Sequence, residues 1–279
     1  MTFNVWQSGR RVENGQQKIV NHIRRVNPDV VALQEANANI IPNLILMLGH
    51  PWQAVEQNPR STTILTRHVI APNTNISTSG GVGVKIILPN GKLIGVWSLH
   101  LDYRFYKPYA ANNMIQLEQV LAGENKGRVP QIHEIFALSI MKKWLEEVVD
   151  VPIFITGDFN SPSHLDWTEE TRDLHGDWVV RWPTTMVIED RGFVDTYRKI
   201  YPNVVQNPGI TWSTVYKFNE EWNYTEPQDR IDFLFYKGPV VPTHVSTYSG
   251  SEDLQPQPYY VHNDFPSDHF AVFADYKFS

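Results

Sequence analysis

Hydrophobic positions recur along this chain with two different periods. From Gln16 to Val26, the residues Ile19, Val20, Ile23 and Val26 fall on one helical face, and Asn27-Pro28 stops the pattern. Strand-like apolar runs flank this helix, Thr2 to Trp6 before it and Asp29 to Gln34, with its VVAL core, after it. A β-α-β opening favours a sheet carrying a helix on one side. The run from Ile40 to Leu48 contains Pro42 and Asn43 and reads as a short helix. Strands are predicted at Trp52 to Glu56, Ser61 to Thr66, Gly83 to Leu88 and Lys92 to His100, with Asn90-Gly91 marking a hairpin between the last two. One long helix is predicted from about Ile132 to Val148, with Ile135, Leu138, Met141 and Leu145 on its apolar face. A buried strand follows at Val151 to Thr156 and ends in Gly157-Asp158. Ser163 and Asp166 have the spacing of a capping box, and the last third predicts two strands, Arg230 to Tyr236 and Phe270 to Tyr276. Hairpins mixed with βα units point to an α/β fold of two mixed sheets packed face to face, with helices outside.

The chain has 279 residues, 42% hydrophobic and 19% charged, which allows one large domain over 1–279 with a sizeable core. Lys and Arg number 24 against 30 Asp and Glu, so the basic surplus usual in a sequence-independent nucleic-acid binder is missing. The net charge of −6 suits a site that gathers carboxylates around a cation. With no cysteine, disulfides, thiolate zinc sites and cysteine nucleophiles are excluded. No apolar stretch reaches the roughly 18 residues of a membrane span. The opening MTFNVW is strand-like rather than a signal peptide, which leaves open the removal of a leader and leaves the compartment undetermined. Trp167, Trp178, Trp182, Trp212 and Trp222 are expected in core and loop packing, with a substrate cleft as the alternative.

The candidate chemical residues share one placement. Asn4 lies in TFNVW, Glu35 follows VVALQ, His100 follows IGVWSL, and Asp158 and Asn160 follow VPIFITG. Asp232 lies inside DRIDFLFY, and Asp268 and His269 precede FAVFADY. Strand ends of packed sheets are where ligand sites are built. Taken singly, each residue has a plainer reading as a strand hydrogen bond, a tight turn, a cap or a local Arg230–Asp232 salt bridge. Together, four carboxylates beside apolar strands need a partner, because a buried charge costs several kcal/mol unless it is paired or bound to metal. Carboxylates with Asn oxygens make a hard-oxygen site suited to Mg²⁺ or Mn²⁺.

In order along the chain, TFNVW, LQEAN, SLHLD, TGDFNSPS, DRIDFLF and PSDHFAVF resemble the motifs of the endonuclease/exonuclease/phosphatase superfamily. The resemblance spans Thr2 to about Tyr276. It implies a four-layer α/β/β/α sandwich and a divalent-metal-dependent phosphoesterase. It further implies Glu35 as the main metal ligand, helped by Asn4 and Asp268, with Mg²⁺ expected and Mn²⁺ as the alternative. Asp158 would orient or deprotonate the attacking water, and Asn160 would hold that water or a phosphate oxygen. His100 and His269 would bond the non-bridging oxygens, and Asp232 would fix the His269 ring. Water is then the nucleophile, and no G-x-S-x-G or P-loop pattern is present.

Substrate is less legible. Tyr103, Arg104, Tyr106, Lys107 and Tyr109 form a Tyr- and Arg-rich run after His100, expected either to grip substrate or to pack a surface loop. Arg128 and Gln131 have the Arg-x-x-Gln spacing of deadenylase-like members, but Phe159 stands where other branches carry Leu after Gly-Asp. His164 and His175 read as surface or capping residues. The favoured substrate is a small or lipid-like organic phosphodiester. Hydrolysis of DNA or RNA is the alternative and calls for a local basic stripe, for instance Arg24, Arg25, Arg60 and Arg67. An inactive binding scaffold is the remote third reading, disfavoured because Glu35, Asp158 and His269 are all present. The number of metal ions and the oligomeric state are not readable from the sequence.

Overall fold

The computed structural model describes residues 1–57, 62–104, 117–220 and 223–279. The chain opens as predicted. Strand β1 (Thr2–Asn4) crosses over through helix α1 (Gly15–Val26) to β2 (Val30–Gln34), which lies parallel to it. Helix α1 ends where Asn27 takes the left-handed conformation at φ 55, a cap that Asn tolerates well, and Pro28 follows. Helix α2 (Ile41–Leu48) starts with Pro42 in its first turn, where the missing N–H has no helical partner to lose. Strands β3 (Gln53–Glu56) and β4 (Thr63–Thr66) pair antiparallel beside β2.

The second sheet begins with β5 (Val69–Ile70), β6 (Ile76–Ser77) and β7 (Gly81–Ile87). It continues through β8 (Leu93–His100), β9 (Ile153–Asp158), β10 (Val194–Asp195) and β13 (Asp232–Lys237). Strands β11 (Phe218–Asn219) and β12 (Tyr224–Thr225) form a separate ribbon. Strands β14 (Val240–Tyr248) and β15 (Ala271–Phe278) return to the first sheet, whose order is β14-β15-β1-β2-β4-β3. The second sheet runs β10-β13-β9-β8-β7-β5, with β6 on β7.

Side-chain alternation along the strands produces four layers. Phe3, Val31 and Leu33 face outward and pack with Ile19, Ile23 and Leu44 of α1 and α2. Between the sheets, Val55, Ile64, Val84 and Val96 interlock, and Leu234, Val245 and Val272 continue that layer. On the far side, Trp97, Ile155 and Phe233 meet the helices α4 (Arg128–Ala137), α5 (Ser139–Glu146) and α6 (Pro183–Glu189). Helix α3 (Leu117–Lys126) leads into α4, and the short α7 (Thr196–Ile200) packs beside β13 and β14. Burying each such large apolar side chain stabilises the fold by about 1.5–3 kcal/mol.

Three expectations are corrected. The single helix predicted from Ile132 to Val148 is two, broken at Leu138, whose ψ of 133° is extended. The break lets Ile132 and Ile135 of α4 and Met141 and Trp144 of α5 all join one core. A Cβ on Gly95 would come within 3.0 Å of the Trp144 ring, so α5 lies directly on β8. Second, β14 was not anticipated. Pro242 argues against a central strand, yet β14 is an edge strand with a register shift between Pro242 and His244, where Pro is tolerated. Third, Ser163 and Asp166 form no capping box. The Asp166 carboxylate instead accepts from Arg198 Nε at 2.6 Å and Arg230 Nε at 2.9 Å, and Arg230 also pairs with Asp195 at 2.7 Å. Arg230 therefore does not pair with Asp232.

Candidate active site

Register brings the candidate residues together. Asn4 lies opposite Gln34 at the ends of the parallel pair β1 and β2, one residue before Glu35. His100 lies opposite Asp158 at the ends of the parallel pair β8 and β9, and Asp232 lies opposite Asp158 at the start of antiparallel β13. Asp268 and His269 precede β15, which runs antiparallel to β1. One edge of the sandwich thus collects residues from both sheets. Gly157 permits the approach of β9 to β8: it sits at φ 139°, and a Cβ there would meet the Leu99 carbonyl oxygen at 2.0 Å.

Asp158 is the hub. Its Oδ2 accepts from Asn4 Nδ2 at 2.9 Å and lies 3.6 Å from His100 Nε2 and 3.7 Å from His269 Nε2. Its Oδ1 accepts from Asn160 N at 2.8 Å. On the other side of the ring, His269 Nδ1 is 2.9 Å from Asp232 Oδ2, and the Asp232 N–H donates to Thr211 Oγ1. Burial by itself lowers the basicity of His269. The carboxylates of Asp232, Asp158 and Asp268 more than reverse this and hold the imidazole well above its ordinary range. Asp158, Asp232 and His269 are also close enough to make a three-ligand group for a metal. These three hold one another through the His269–Asp232 bond and the 3.7 Å approach of His269 to Asp158.

The metal-like corner is next to it. Glu35 Oε2 accepts from Gln7 N at 2.7 Å and Oε1 from Asn4 Nδ2 at 3.3 Å. The Asp268 carboxyl accepts from the Trp212 side chain, while its Oδ1 is buried with no hydrogen-bond partner. Burial first, and then the charge of Glu35, push Asp268 up to about 7. A buried carboxylate oxygen left without a donor, next to a second carboxylate, is a place where a hard cation fits.

The Asn4 amide is held by the backbone two residues on. Its oxygen accepts from Trp6 N at 2.9 Å, and that donor fixes the amide orientation. The nitrogen therefore faces Asp158, Glu35 and His269, and its N–H groups reach both carboxylates. Asn160 donates from Nδ2 to the Leu101 carbonyl at 3.0 Å, which ties the loop after β9 to the end of β8. Of the Tyr- and Arg-rich run, Tyr103 and Arg104 are the described residues. Tyr103 is exposed, and the Arg104 guanidinium is held by Asp102 at 2.6 Å. Tyr106, Lys107 and Tyr109 lie outside the described residues, as do Arg60 and Trp222.

The structure adds supports with little sequence signal. Ser267 Oγ donates to the Asn4 carbonyl at 2.6 Å and accepts from His269 N at 3.0 Å, joining β1 to the turn that carries Asp268 and His269. Thr211 and Trp212 reach the site from a loop more than 50 residues earlier in the chain. Buried Arg128 donates to the Asp102 carbonyl at 2.7 Å, and Gln131 Oε1 accepts from Asp102 N at 2.9 Å, so both steady the segment leaving His100. Trp167 and Trp182 are packing residues, as expected. His164 bonds Thr185 and Glu189, and His175 stacks on Trp167 at 4.1 Å.

Comparison with known proteins agrees with this architecture. The Endonuclease/Exonuclease/phosphatase family profile matches residues 1–269. A protein of Caenorhabditis elegans described as uncharacterized is 68% identical over 284 residues, covering 100% of this chain and 90% of its own length. Among solved structures, TDP2 of D. rerio complexed with single-strand DNA product superposes with a TM-score of 0.61 at 15% identity, covering 99% of this chain and 98% of that one. Mannosyl-6-phosphatase Bt3783 of Bacteroides thetaiotaomicron superposes with a TM-score of 0.59 at 13% identity, covering 99% and 98%. The two-sheet fold, the edge site and the match over 1–269 together make this chain a member of the endonuclease/exonuclease/phosphatase family, a family of metal-dependent phosphoric ester hydrolases.

Proposed function

We propose that this enzyme hydrolyses a phosphodiester of a small or lipid-like organic alcohol by direct in-line attack of water. The observation that carries the reading is one constellation at one sheet edge. Asp158 lies between two imidazoles, His269 is backed by Asp232, and the Glu35–Asp268 pair has an unpartnered oxygen beside it.

In this reading Asp158 takes the proton of the attacking water. Its Oδ1 is fixed by Asn160 N and its Oδ2 by Asn4, so its lone pairs are aimed before substrate arrives. His269, charged and fixed by Asp232, donates from Nε2 to a non-bridging phosphoryl oxygen, and His100 supplies a second donor. Asn160 steadies a phosphate oxygen with its remaining amide N–H. Glu35 and Asp268 would hold Mg²⁺ or Mn²⁺, which would supply Lewis-acid polarisation and charge neutralisation at the phosphate when bound.

A small substrate is favoured over nucleic acid by the arginines. Arg25 pairs with Asp264, Arg24 donates to the Met47 carbonyl, and Arg67 pairs with Asp29. Asp29 precedes β2, whereas Glu35 follows it, so Arg67 lies at the opposite end of that strand from the site. Cleavage of a DNA-linked phosphodiester is the second reading, supported by the likeness to TDP2 bound to a single-strand DNA product. The test is hydrolysis of bis-p-nitrophenyl phosphate, p-nitrophenyl phosphate, p-nitrophenylphosphorylcholine, plasmid DNA and a short RNA, with Mg²⁺, Mn²⁺ or EDTA and a Glu35→Ala control. Metal-dependent cleavage of a small diester with nucleic acid intact is expected. Salt-sensitive cleavage of plasmid or RNA, lost in the control, makes the enzyme a nuclease.

A further inference from the structure

A string of aromatic rings is fastened to the Asp268 side of the site. Trp6 follows Asn4 by two residues, and its backbone N–H sets the Asn4 amide. The backbone from Trp6 to Gly9 is left-handed throughout, at φ 39, 53, 67 and 72°. Three of those residues are not glycine, a conformation that survives where it sets groups in place. Trp212 and Tyr216 belong to a segment bonded onto the turn that carries Asp268 and His269. Ser213 Oγ and Thr214 N donate to the Asp268 carbonyl at 2.9 and 2.7 Å, and Tyr216 N donates to Ser213 Oγ at 3.0 Å.

The rings follow one another outward from the His269 imidazole. Trp212 lies 6.4 Å from His269 and 6.2 Å from Tyr216; Tyr216 lies 6.0 Å from Trp6, and Trp6 lies 4.9 Å from Tyr260. Core packing accounts for Trp6, which is buried with Val12 and Val215. Tyr216 and Tyr260 pack against that cluster but stay half-buried, and so does Trp212, so each keeps part of its ring open to solvent. Tyr216 is tied to the site side through Ser213, whose Oγ bonds both the Tyr216 N–H and the Asp268 carbonyl.

We propose that Trp212, Tyr216 and Tyr260 form a subsite that stacks a planar aromatic group on the organic side of the phosphate ester. The proposal rests on the phosphoesterase reading above and narrows its substrate class. A flat ring suits a wall of half-exposed rings edged with hydroxyls, because stacking tolerates a wet rim. An alkyl chain needs a dry groove, which these half-exposed residues do not make. A quaternary ammonium is disfavoured because the Arg11 guanidinium already sits 6.0 Å from the Trp6 ring and affects Tyr216.

The test measures binding of benzylphosphonate, hexylphosphonate and phosphocholine by titration calorimetry with Mg²⁺ present. Benzylphosphonate is expected to bind roughly tenfold more tightly than hexylphosphonate, the scale of one stacking contact. Tyr216→Leu and Tyr260→Leu should each reduce that preference to about twofold or less, while Tyr216→Phe keeps the ring and the preference. Equal affinity for benzyl and alkyl phosphonates, or a preference that survives both Leu variants, overturns the proposal. Tightest binding of phosphocholine overturns it too, and makes the wall a cation cage. Failure of the phosphoesterase reading looks different: the Tyr216-dependent preference persists, yet no phosphate ester is cleaved.

Discussion

Asp268→Asn is expected to make the protein more stable at alkaline pH while removing its response to metal. Asp268 is buried, and its carboxyl is pushed up to about 7 from 3.8. The folded state therefore binds the proton more tightly than the unfolded chain does. The stability linked to that proton is fully present below 3.8 and is lost as pH rises through about 7. At about 1.36 kcal/mol per pH unit, the ionised group costs the metal-free fold about 4 kcal/mol at pH 8. Asn removes this ionisation but leaves a new buried N–H to satisfy, at about 1–3 kcal/mol. The net gain is about 1–3 kcal/mol at pH 8 and turns into a loss of about 1–3 kcal/mol at pH 4, where Asp268 is already protonated and only the unsatisfied N–H counts. At roughly 2–4 °C per kcal/mol for a chain of this size, the variant should melt about 2–12 °C higher at pH 8. The assay is thermal melting of both proteins from pH 4 to 8 in EDTA, repeated with Mg²⁺. Mg²⁺ should raise the wild-type midpoint most at high pH and leave the variant nearly unmoved. A variant no more stable than wild type at pH 8, or equal stabilisation of both by Mg²⁺, refutes the assignment of Asp268 as a charge waiting for a cation.

Asp158→Asn and His269→Ala should each lower kcat by about 10²–10⁴-fold with melting midpoints near wild type, since each removes one proton-handling or donor group; full activity in either contradicts the mechanism. Arg230→Met leaves Asp195 buried without its cation and Asp166 with Arg198 alone, and should cost about 3–5 kcal/mol in urea unfolding. Burial holds His175 down to about 4 from 6.5, so its linked stability is present above 6.5 and is lost as pH falls toward 4. His175→Phe keeps the stack on Trp167 and should flatten the melting profile between those pH values.

Much of the architecture is legible in the chain because it depends on local repetition. The spacing of Ile19, Val20 and Ile23 commits one helix face to the first sheet, and alternation in IGVWSLH places Val96 between the sheets and Trp97 under the helices. The site residues share a readable signature, a polar group at the end of an apolar strand. The places where the reading stopped short have physical causes. Leu138 has an ordinary helical residue's propensity, and only the demand that both α4 and α5 lie on one core breaks the helix there. Pro242 masked an edge strand, because whether a missing N–H matters depends on whether a neighbour lies on that side. Asp166 has the spacing of a cap, but two arginines 32 and 64 residues later offer stronger, charge-assisted partners.

The sequence by itself determined the family, the strand-end candidates and the absence of thiol chemistry. Each follows from residue type and local order. The tertiary structure alone decided how those groups work. It placed the Trp6 N–H on the Asn4 amide oxygen, and set His269 between Asp158 and Asp232. It also left one oxygen of Asp268 buried without a donor and carried Trp212 and Tyr216 to the site from a distant loop. Those outcomes depend on distances of 3 to 4 Å between residues far apart in the chain. Such distances follow from strand register and packing, and no local pattern encodes them.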